Sequence, residues 1–313
     1  MSKINNVVIQ FKKWGNFLVL LGMIIIFSII TPKFISGVNI NNLVGQNVIY
    51  GIMACGVLFP ILSGGFDLSI GSITALSGIV TANILLITGS FLLSILAGLS
   101  VGIVFGLCNG LLITKLNINP FVSTLGTMTI VRGLVYIYTR GEPVYGFPAK
   151  YNVIGMGNWG VIPIPVISWF VIAALCYFAL KYTKFGIYVY AVGGNEDSAK
   201  LSGVKVDLTK IYCYIISGFL ASTAGIILLF RVMAALTQAA QGYELTAMAA
   251  CFIGGCKIGG GKGGLLQAVI GTFILGIILN EMNLFGISSY WREAVTGVII
   301  IVAVAIATEK KAV

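Results

Sequence analysis

The segment that looks most able to bind a phosphate group is the glycine-rich stretch GGCKIGGGKGG at residues 254–264. A phosphate-binding P-loop has a glycine six positions before its lysine and a serine or threonine directly after it. With Lys262 as that lysine, these two positions hold Cys256 and Gly263. The register therefore excludes a P-loop, and we expect no nucleotide site in this chain.

Residues suited to other catalytic chemistry are scarce. The chain has no histidine, which removes Ser-His and Cys-His nucleophiles and the HExxH metal motif. Its 6 cysteines lie in or beside apolar segments and form no CxxC pair, so neither a disulfide framework nor a metal site is indicated. We therefore predict no catalytic residues, no metal site and no cofactor.

The composition accounts for this scarcity. The chain has 313 residues, of which 58% are hydrophobic and 9% charged, and its mean hydropathy is +1.03. A soluble domain carries about 25% charged residues. The apolar segments have the length of about 20 residues that a spanning helix needs. We predict an all-α polytopic membrane bundle of about ten transmembrane helices with broken or re-entrant segments, forming one domain over residues 1–313.

The apolar segments predict spans near residues 15–31, 46–63, 71–88, 91–113, 120–139, 163–181, 210–230, 244–257, 264–281 and 291–308. An even number places both termini on one side, and the lysine-rich loops and termini indicate that this side is cytoplasmic. Residues 182–209 are then a cytoplasmic loop. Because the net charge of +10 is spread over such loops and termini, it does not indicate nucleic-acid binding.

A carboxylate interrupts the apolar N-terminal half of the chain. Asp67 and Ser69 lie in SGGFDLSIGS at residues 63–72, between two apolar runs. A charged group at membrane depth is costly and faces protein or water, and irregular backbone at that depth needs surrounding protein. Two interpretations stay open, a buried break within the membrane and a plain cytoplasmic turn with Asp67 in water.

Several amides and hydroxyls lie inside the predicted spans, namely Asn47, Asn109, Ser123, Thr124 and Asn280. They could line a water-filled path, or they could form interhelical hydrogen bonds worth about 0.6 kcal/mol each in lipid. Both interpretations stay open. Glu244 and Glu281 lie near span ends, where we expect them to be solvated.

Glycines recur every four residues in the fourth predicted span, at Gly98, Gly102, Gly106 and Gly110. Such a ridge of small residues lets another helix approach closely, which is how helices associate in lipid. We therefore predict tight helix packing along this face.

The longest charged interruption is GIYVYAVGGNEDSAKLSGVKVDLTK at residues 186–210. Asn195 is a favourable N-cap, Glu196 and Asp197 place negative charge in the first helical turn, and Gly203 is suited to the C′ position. These signals predict a short helix that needs external support, because it is too short to be stable alone. A solvated loop and a docking element for a soluble partner are both compatible with them.

Four motifs, in this order, resemble the ribose-type permeases of bacterial ABC sugar importers: GGFDLSIGS, NGLLITKLNINPFVSTLGTMTIVRG, AVGGNEDSAKLSGVKV and GYELTAMAACFIGGCKIGGGKGG. The resemblance covers about residues 45–305, and four ordered motifs are more specific than any one of them. The chain departs from the family at Ser198–Ala199, where two alanines are common. It also departs at Cys256 and Lys257, where small or hydroxylic residues are more frequent.

The resemblance implies an ABC type II importer-like permease of the bacterial inner membrane that is not itself catalytic. Its implied partners are a cytoplasmic ABC ATPase, an extracytoplasmic sugar-binding protein, a second permease copy or paralogue, and the lipid bilayer. The loop at 182–209 would carry a coupling helix for the ATPase, with coupling residues Gly193, Gly194, Asn195, Glu196, Ser198, Ala199, Leu201, Ser202 and Gly203. Independently of the resemblance, the polar side chains within the apolar segments predict a substrate path that includes Asn47, Asp67, Ser69, Asn109, Ser123, Thr124 and Asn280.

Other transport functions remain as alternatives. The substrate could be a nucleoside or another small polar solute, or the protein could be an ion-coupled secondary transporter with broken helices near the midplane. Ion coupling normally needs intramembrane carboxylates, and the sequence offers only Asp67 for this role. For the docking interpretation, we expect a bulky residue at Gly194 or Ala199 to leave the fold intact and to abolish ATPase association.

Overall fold

The structure is a computed structural model. It describes the backbone of residues 2–307, and side chains from residue 15 onward except at a few positions beyond residue 288. Met1 and residues 308–313 lie outside the described residues, together with the C-terminal lysines that entered the topology prediction. Thirteen α-helices follow one another in the described range: α1 (Ser2–Ile30), α2 (Gly37–Leu62), α3 (Ile70–Thr88), α4 (Phe91–Lys115), α5 (Pro120–Thr139), α6 (Asn152–Met156), α7 (Ile164–Tyr182), α8 (Lys184–Gly194), α9 (Glu196–Leu201), α10 (Val206–Val232), α11 (Tyr243–Gly254), α12 (Leu265–Leu284) and α13 (Ser289–Ala307).

The only β-structure described as strands is a small hairpin on the segment between α5 and α7, within residues 2–307. Strand β1 (Asn158–Trp159) pairs antiparallel with β2 (Ile162–Pro163), with Asn158 opposite Pro163. A 3-10 turn at Ala149–Tyr151 precedes it. The all-α prediction is therefore confirmed, with this hairpin as a minor addition.

Seven helices in the described range are long and apolar enough to cross a membrane, namely α2, α3, α4, α5, α7, α10 and α12. Three shorter apolar helices, at Gly15–Ile30, Tyr243–Gly254 and Glu293–Val302, coincide with the other predicted spans. The polytopic character is confirmed, with 7 candidate spans in the described range, and the predicted count of about ten is not confirmed.

The core is formed by α10 together with α2 and α3, each of which packs against α10. The most apolar windows of these helices are 83%, 72% and 72% buried, against 22% for α4 and 28% for α5. Since α4 and α5 leave most of their surface uncovered, they lie at the periphery of the bundle. α10 is thus the central helix, and α4 packs along it.

The glycine ridge of α4 packs directly on the backbone of α10. Gly98, Gly102, Gly106 and Gly110 are all buried. A methyl group added at Gly102 would collide with the carbonyl oxygen of Gly218 in α10. The predicted close approach of two helices is therefore confirmed, and it brings backbone against backbone.

Residues 182–209, predicted as a loop that carries one short helix, contain two helices, α8 and α9, and α8 was not predicted. After a break at Thr183, α8 begins, and the Thr183 side chain accepts a hydrogen bond from the backbone N–H of Gly186 at 3.3 Å. Val189 and Val192 are buried, and Phe185 stacks on Phe59 of α2 with ring centroids 6.0 Å apart. The apolar residues of this segment form a helix because α2, α7 and α10 cover them.

Candidate functional site

The predicted short helix is α9, and its first turn is capped as expected. Asn195 has extended backbone, with φ −160° and ψ 110°, and its side-chain oxygen accepts a hydrogen bond from the backbone N–H of Ser198 at 2.8 Å. Glu196 and Asp197 lie in the first turn, where the helix dipole favours negative charge. The N-cap prediction is therefore confirmed.

The end of α9 is a Schellman motif. The backbone N–H of Val204 donates to the carbonyl of Ala199 at 3.0 Å, and that of Gly203 donates to Lys200 at 3.0 Å. Gly203 has φ +82°, in the left-handed region that glycine adopts without a steric penalty. The predicted C′ glycine is confirmed, so both ends of α9 are determined by its own flanking residues.

One face of α9 is attached to the bundle and the other is free of it. Ala199 is buried against Val192 and Val206, and Glu196 forms a 2.6 Å salt bridge with Lys210 of α10. Leu201, by contrast, is 89% exposed at the end of the helix. The helix therefore presents an apolar side chain away from the protein while its other face holds it in place.

The two positions predicted to tolerate bulky residues differ in the structure. A Cβ atom added at Gly194 would meet nothing within 4 Å. Ala199 is only 4% exposed, so a bulky side chain there would push α9 away from α8 and α10. The expectation of an intact local fold is therefore wrong for Ala199, because its methyl group already fills the available space.

Beneath α9, three backbone segments meet at what we call the glycine junction, formed by Gly64, Gly193, Gly260 and Gly261 against the carbonyl of Leu62. The backbone N–H of Gly261 donates to this carbonyl at 3.0 Å. A methyl group at Gly193 would collide with the same oxygen. The stretch that resembled a phosphate loop thus joins the ends of α2 and α8.

Backbone conformation explains why glycine occupies the other positions of the junction. Gly64, Gly260 and Gly261 have φ values of +90°, +87° and +72°. A Cβ at Gly260 would lie 2.7 Å from the backbone nitrogen of Gly64. A side chain at any of the three positions would therefore be strained by its dihedral angle, and at Gly260 and Gly261 it would also be crowded by neighbouring backbone.

Asp67 lies in the break between α2 and α3 and is fully buried, at 0% exposure. One carboxylate oxygen accepts hydrogen bonds from the backbone N–H of Ser69 at 3.0 Å and from its hydroxyl at 2.6 Å. The other accepts from the hydroxyl of Ser217 at 2.7 Å. The interpretation of Asp67 as a solvated residue in a cytoplasmic turn is therefore wrong.

The bonds around Asp67 continue into the peripheral helices. The side-chain amide of Asn109 in α4 donates to the Ser69 hydroxyl at 2.9 Å. The hydroxyl of Thr127 in α5 donates to the amide oxygen of Asn109 at 2.6 Å. These five residues, which we call the Asp67 network, link α3, α4, α5 and α10.

The network lies deep in the bundle. Ser217 is near the middle of α10 (Val206–Val232), about 16 Å from its start at a rise of 1.5 Å per residue. Asp67 therefore lies well inside the bundle, and residues 63–69 form a break between two helices. Neither Ser217 nor Thr127 was among the predicted site residues. The available signal for Thr127 was a hydroxyl four residues beyond Ser123 on one helix face.

The remaining predicted path residues do not join this network. Asn280 and Asn39 exchange two reciprocal amide hydrogen bonds, both 2.9 Å long, between α12 and α2. Thr124 donates to its own helix at Pro120, at 2.8 Å. In the described part of the chain, the side chains of Asn47 and Ser123 are buried without a hydrogen-bond partner. The predicted set therefore falls into separate groups.

Glu244 and Glu281 are buried rather than solvated, at 8% and 2% exposure, so the expectation for both is wrong. Glu281 accepts a hydrogen bond from the hydroxyl of Thr31 at 2.9 Å. Glu244 accepts one from the backbone N–H of Gly242 at 3.3 Å. Both lie close to helix ends, but neighbouring helices cover those ends.

Within the described residues, no group of three or more cysteine, aspartate or glutamate side chains is arranged to hold a metal ion. The six cysteines are free thiols, and five of them are buried. The polar groups at the site are thus amides, hydroxyls and one network carboxylate, which can exchange hydrogen bonds with a polar solute or with one another.

Comparison with known proteins defines the class of this protein. A family model described as branched-chain amino acid transport system / permease component matches residues 39–304. Because that match covers most of the chain, the chain belongs to this family of transport permeases. The predicted family relationship is confirmed.

The names of individual relatives also state which sugar each relative transports. The ribose import permease protein RbsC of Bacillus subtilis (strain 168) is 41% identical over 303 residues, covering 96% of this chain and 94% of the relative. The L-arabinose transport system permease protein AraH of Escherichia coli (strain K12) is 39% identical over 292 residues, covering 90% and 88%. The D-allose transport system permease protein AlsC of the same strain is 36% identical over 303 residues, covering 96% and 93%. No solved structure matches the chain significantly.

Proposed function

We propose that the chain is the membrane-spanning subunit of an ATP-driven importer for a monosaccharide. The observation that carries this proposal is α9, a short helix capped at both ends, attached on one face and exposing Leu201 on the other. Its geometry suits docking into a cleft of a cytoplasmic ATPase. The relatives named for ribose, arabinose and allose support a sugar of this size as the substrate.

In this proposal ATP is bound and hydrolysed on the separate ATPase chain, and this chain is not catalytic. The ATPase-coupling residues are those of α9 and its flanks, Gly193, Gly194, Asn195, Glu196, Ser198, Ala199, Leu201, Ser202 and Gly203. Closure of the ATPase pair displaces α8 and α9. Helices that meet backbone to backbone along glycine ridges then shift, and the path changes from outward-facing to inward-facing.

The sugar path is proposed to use Asn47, Asp67, Ser69, Asn109, Ser123, Thr124 and Asn280. Asn47 and Ser123 support this assignment most directly. Their polar atoms are buried and, among the described residues, have no hydrogen-bond partner. A buried unpaired polar group is costly, so a sugar hydroxyl that pairs with it would be stabilised.

We further propose one permease domain of type II importer architecture with ten passes through the bacterial inner membrane and both termini in the cytoplasm. The three shorter apolar helices, Gly15–Ile30, Tyr243–Gly254 and Glu293–Val302, support the additional passes. A second permease, either a copy or a paralogue, would complete the path between two subunits within the lipid bilayer. An extracytoplasmic binding protein would deliver the sugar on the face opposite α9.

The discriminating experiment is uptake of radiolabelled ribose, arabinose and allose into proteoliposomes. ATP-dependent uptake that requires the ATPase and the binding protein is the expected result. Uptake driven by an ion gradient without an ATPase would contradict the proposal.

That outcome would support the second candidate, an ion-coupled transporter of a sugar, nucleoside or other small polar solute. Two buried glutamates favour this second candidate. Glu244 and Glu281 each bury a carboxylate oxygen that has no hydrogen-bond partner among the described residues. Intramembrane carboxylates of this kind are typical of coupling-ion and proton sites.

Docking of α9 can be tested separately. Replacing Leu201 by Ser, or Gly194 by Trp, is expected to abolish co-purification with the ATPase while leaving the protein monodisperse, because both positions are open in the structure. Val161→Ser is the control, since Val161 is 92% exposed at the turn between β1 and β2 on the proposed outer face. Normal ATPase co-purification of the Leu201 variant would contradict the docking role.

A further inference from the structure

The glycine junction connects the proposed docking helix to the break that carries Asp67. Gly193 lies two residues before the N-cap of α9 and touches the carbonyl of Leu62, the last residue of α2. The same carbonyl accepts the hydrogen bond from Gly261. A single peptide group is therefore held between the end of α8 and the 255–264 loop.

From this carbonyl the chain reaches the Asp67 network within five residues, a span of at most about 18 Å. Two groups of α10 hold this short stretch. The hydroxyl of Tyr214 donates to the carbonyl of Phe66 at 3.1 Å, and the hydroxyl of Ser217 donates to Asp67 at 2.7 Å. A displacement of Leu62 therefore acts on a short stretch whose far end α10 holds at Phe66 and Asp67.

Two links made by the side chains of α9 itself are softer. The pair formed by Glu196 and Lys210 has side-chain exposures of 54% and 19%, and partly exposed ion pairs contribute roughly 0.2–1 kcal/mol. Ala199 contributes one methyl group to a small apolar cluster with Val192 and Val206. The contact of Gly193 with Leu62 is backbone against backbone, without a side chain that can rotate away, and close-packed contacts of this kind transmit strain.

We propose that the Leu62 carbonyl is the point at which movement of α8 and α9 reaches the Asp67 network, and that Gly193 is the positioning residue for this transmission. The inference rests on the proposed function and deepens it. The ATPase binds the exposed side of α9 and displaces α8 and α9. The glycine junction then transmits this displacement to the break at residues 63–69. The break then shifts relative to α4, α5 and α10, which the Asp67 network joins.

The test separates docking from transmission. In Gly193→Ala the added methyl group meets the Leu62 carbonyl, while the exposed surface of α9 is unchanged. We expect ATPase co-purification to be retained and the sugar transported per ATP hydrolysed to fall about tenfold, a change within the usual range of coupling between sites. Gly194→Trp is expected to show the opposite pattern, with ATPase association lost.

The matched control is Gly22→Ala, since Gly22 is also helical and a Cβ there meets nothing within 4 Å. Its sugar-to-ATP ratio should equal that of the unmodified protein. A Gly193→Ala protein with normal association and a normal sugar-to-ATP ratio would overturn the inference while leaving the proposed function intact. Failure of the unmodified protein to bind any ATPase would instead overturn the proposed function.

A second variant covers the case in which Gly193→Ala does not assemble. Tyr214→Phe removes only the hydroxyl that holds Phe66, and it leaves the aromatic ring packed. The sugar-to-ATP ratio should fall while ATPase binding stays normal, because the stretch between Leu62 and Asp67 is then less firmly held. An unchanged ratio in this variant would contradict the proposed route.

Discussion

Two short polar interruptions of the apolar chain, α9 and the break at residues 63–69, have similar residues and opposite surroundings. α9 contains Glu196, Asp197 and Ser198, and the break contains Asp67 with Ser63 and Ser69. In α9 the capping partners lie within five positions of one another. In the break, Asp67 bonds to Ser217, 150 positions away, and Ser69 bonds to Asn109, 40 positions away.

A segment whose hydrogen bonds are local stays free to meet a partner, whereas a segment whose hydrogen bonds reach distant helices becomes part of the core. Glu196 is half exposed, while Asp67 is fully buried. If one partner of a buried hydrogen bond is removed, the other partner stays unpaired in the protein interior, which costs free energy. We therefore expect the same substitution to have unequal effects in the two segments.

The largest effect is expected for Asp67→Ala. The hydroxyls of Ser69 and Ser217 lose their charged acceptor, and hydrogen bonds to charged groups contribute about 1.5–3 kcal/mol. The apparent Tm of the detergent-solubilised protein should fall by roughly 5–10 °C. Asp197→Ala in the first turn of α9 is the matched control, and we expect it to change stability by less than about 0.5 kcal/mol. Equal Tm values for the two variants would contradict the contrast between the buried break at residues 63–69 and the exposed helix α9.

A smaller and strictly local effect is expected for Asn195→Ala. The variant loses the hydrogen bond to the N–H of Ser198, and loss of an N-cap costs about 1 kcal/mol. Hydrogen exchange at residues 196–201 should become faster by about fivefold, which corresponds to that free energy. Exchange in α2 and α10 should not change. Asn195→Asp preserves the cap and should restore slow exchange, and a global loss of protection would show that α9 is not an independent unit.

Thr127→Val tests the far end of the Asp67 network. The hydroxyl that donates to Asn109 is removed without a change of volume, and interhelical hydrogen bonds in lipid average about 0.6 kcal/mol. Thr129→Val on the same helix removes only a bond to its own backbone at Leu125. Thermal unfolding should show a lower Tm for the Thr127 variant alone. Identical melting curves would indicate that the network ends at Asn109.

The smallest effect is expected for Lys210→Met, which breaks the ion pair with Glu196. Because Glu196 is 54% exposed, we expect a destabilisation of α9 of roughly 0.3 kcal/mol. The difference in hydrogen exchange of α9 between this variant and the unmodified protein should vanish at about 1 M salt, where the screening length is about 3 Å. A difference that persists at high salt would assign Lys210 a packing role instead.

The predictions were correct where the interactions join residues close in sequence, and incomplete where they join distant helices. Asn195 and Gly203 were identified correctly because an N-cap and a Schellman motif depend on residues a few positions apart. α8 was taken for loop because its apolar residues are covered by α2, more than 100 positions away. Asp67 stayed ambiguous because its donor Ser217 lies on a distant helix.

The membrane class, most of the apolar helices, the family and both ends of α9 can be read from the amino-acid sequence. Only the tertiary structure decided that Asp67 and Glu281 are buried, that Asn39 pairs with Asn280, and that the glycine-rich loop packs on the Leu62 carbonyl. The physical reason is that periodicity and capping act within a few residues. Burial and hydrogen-bond partners at separations of up to 241 residues depend on which helices meet, and no local pattern specifies that.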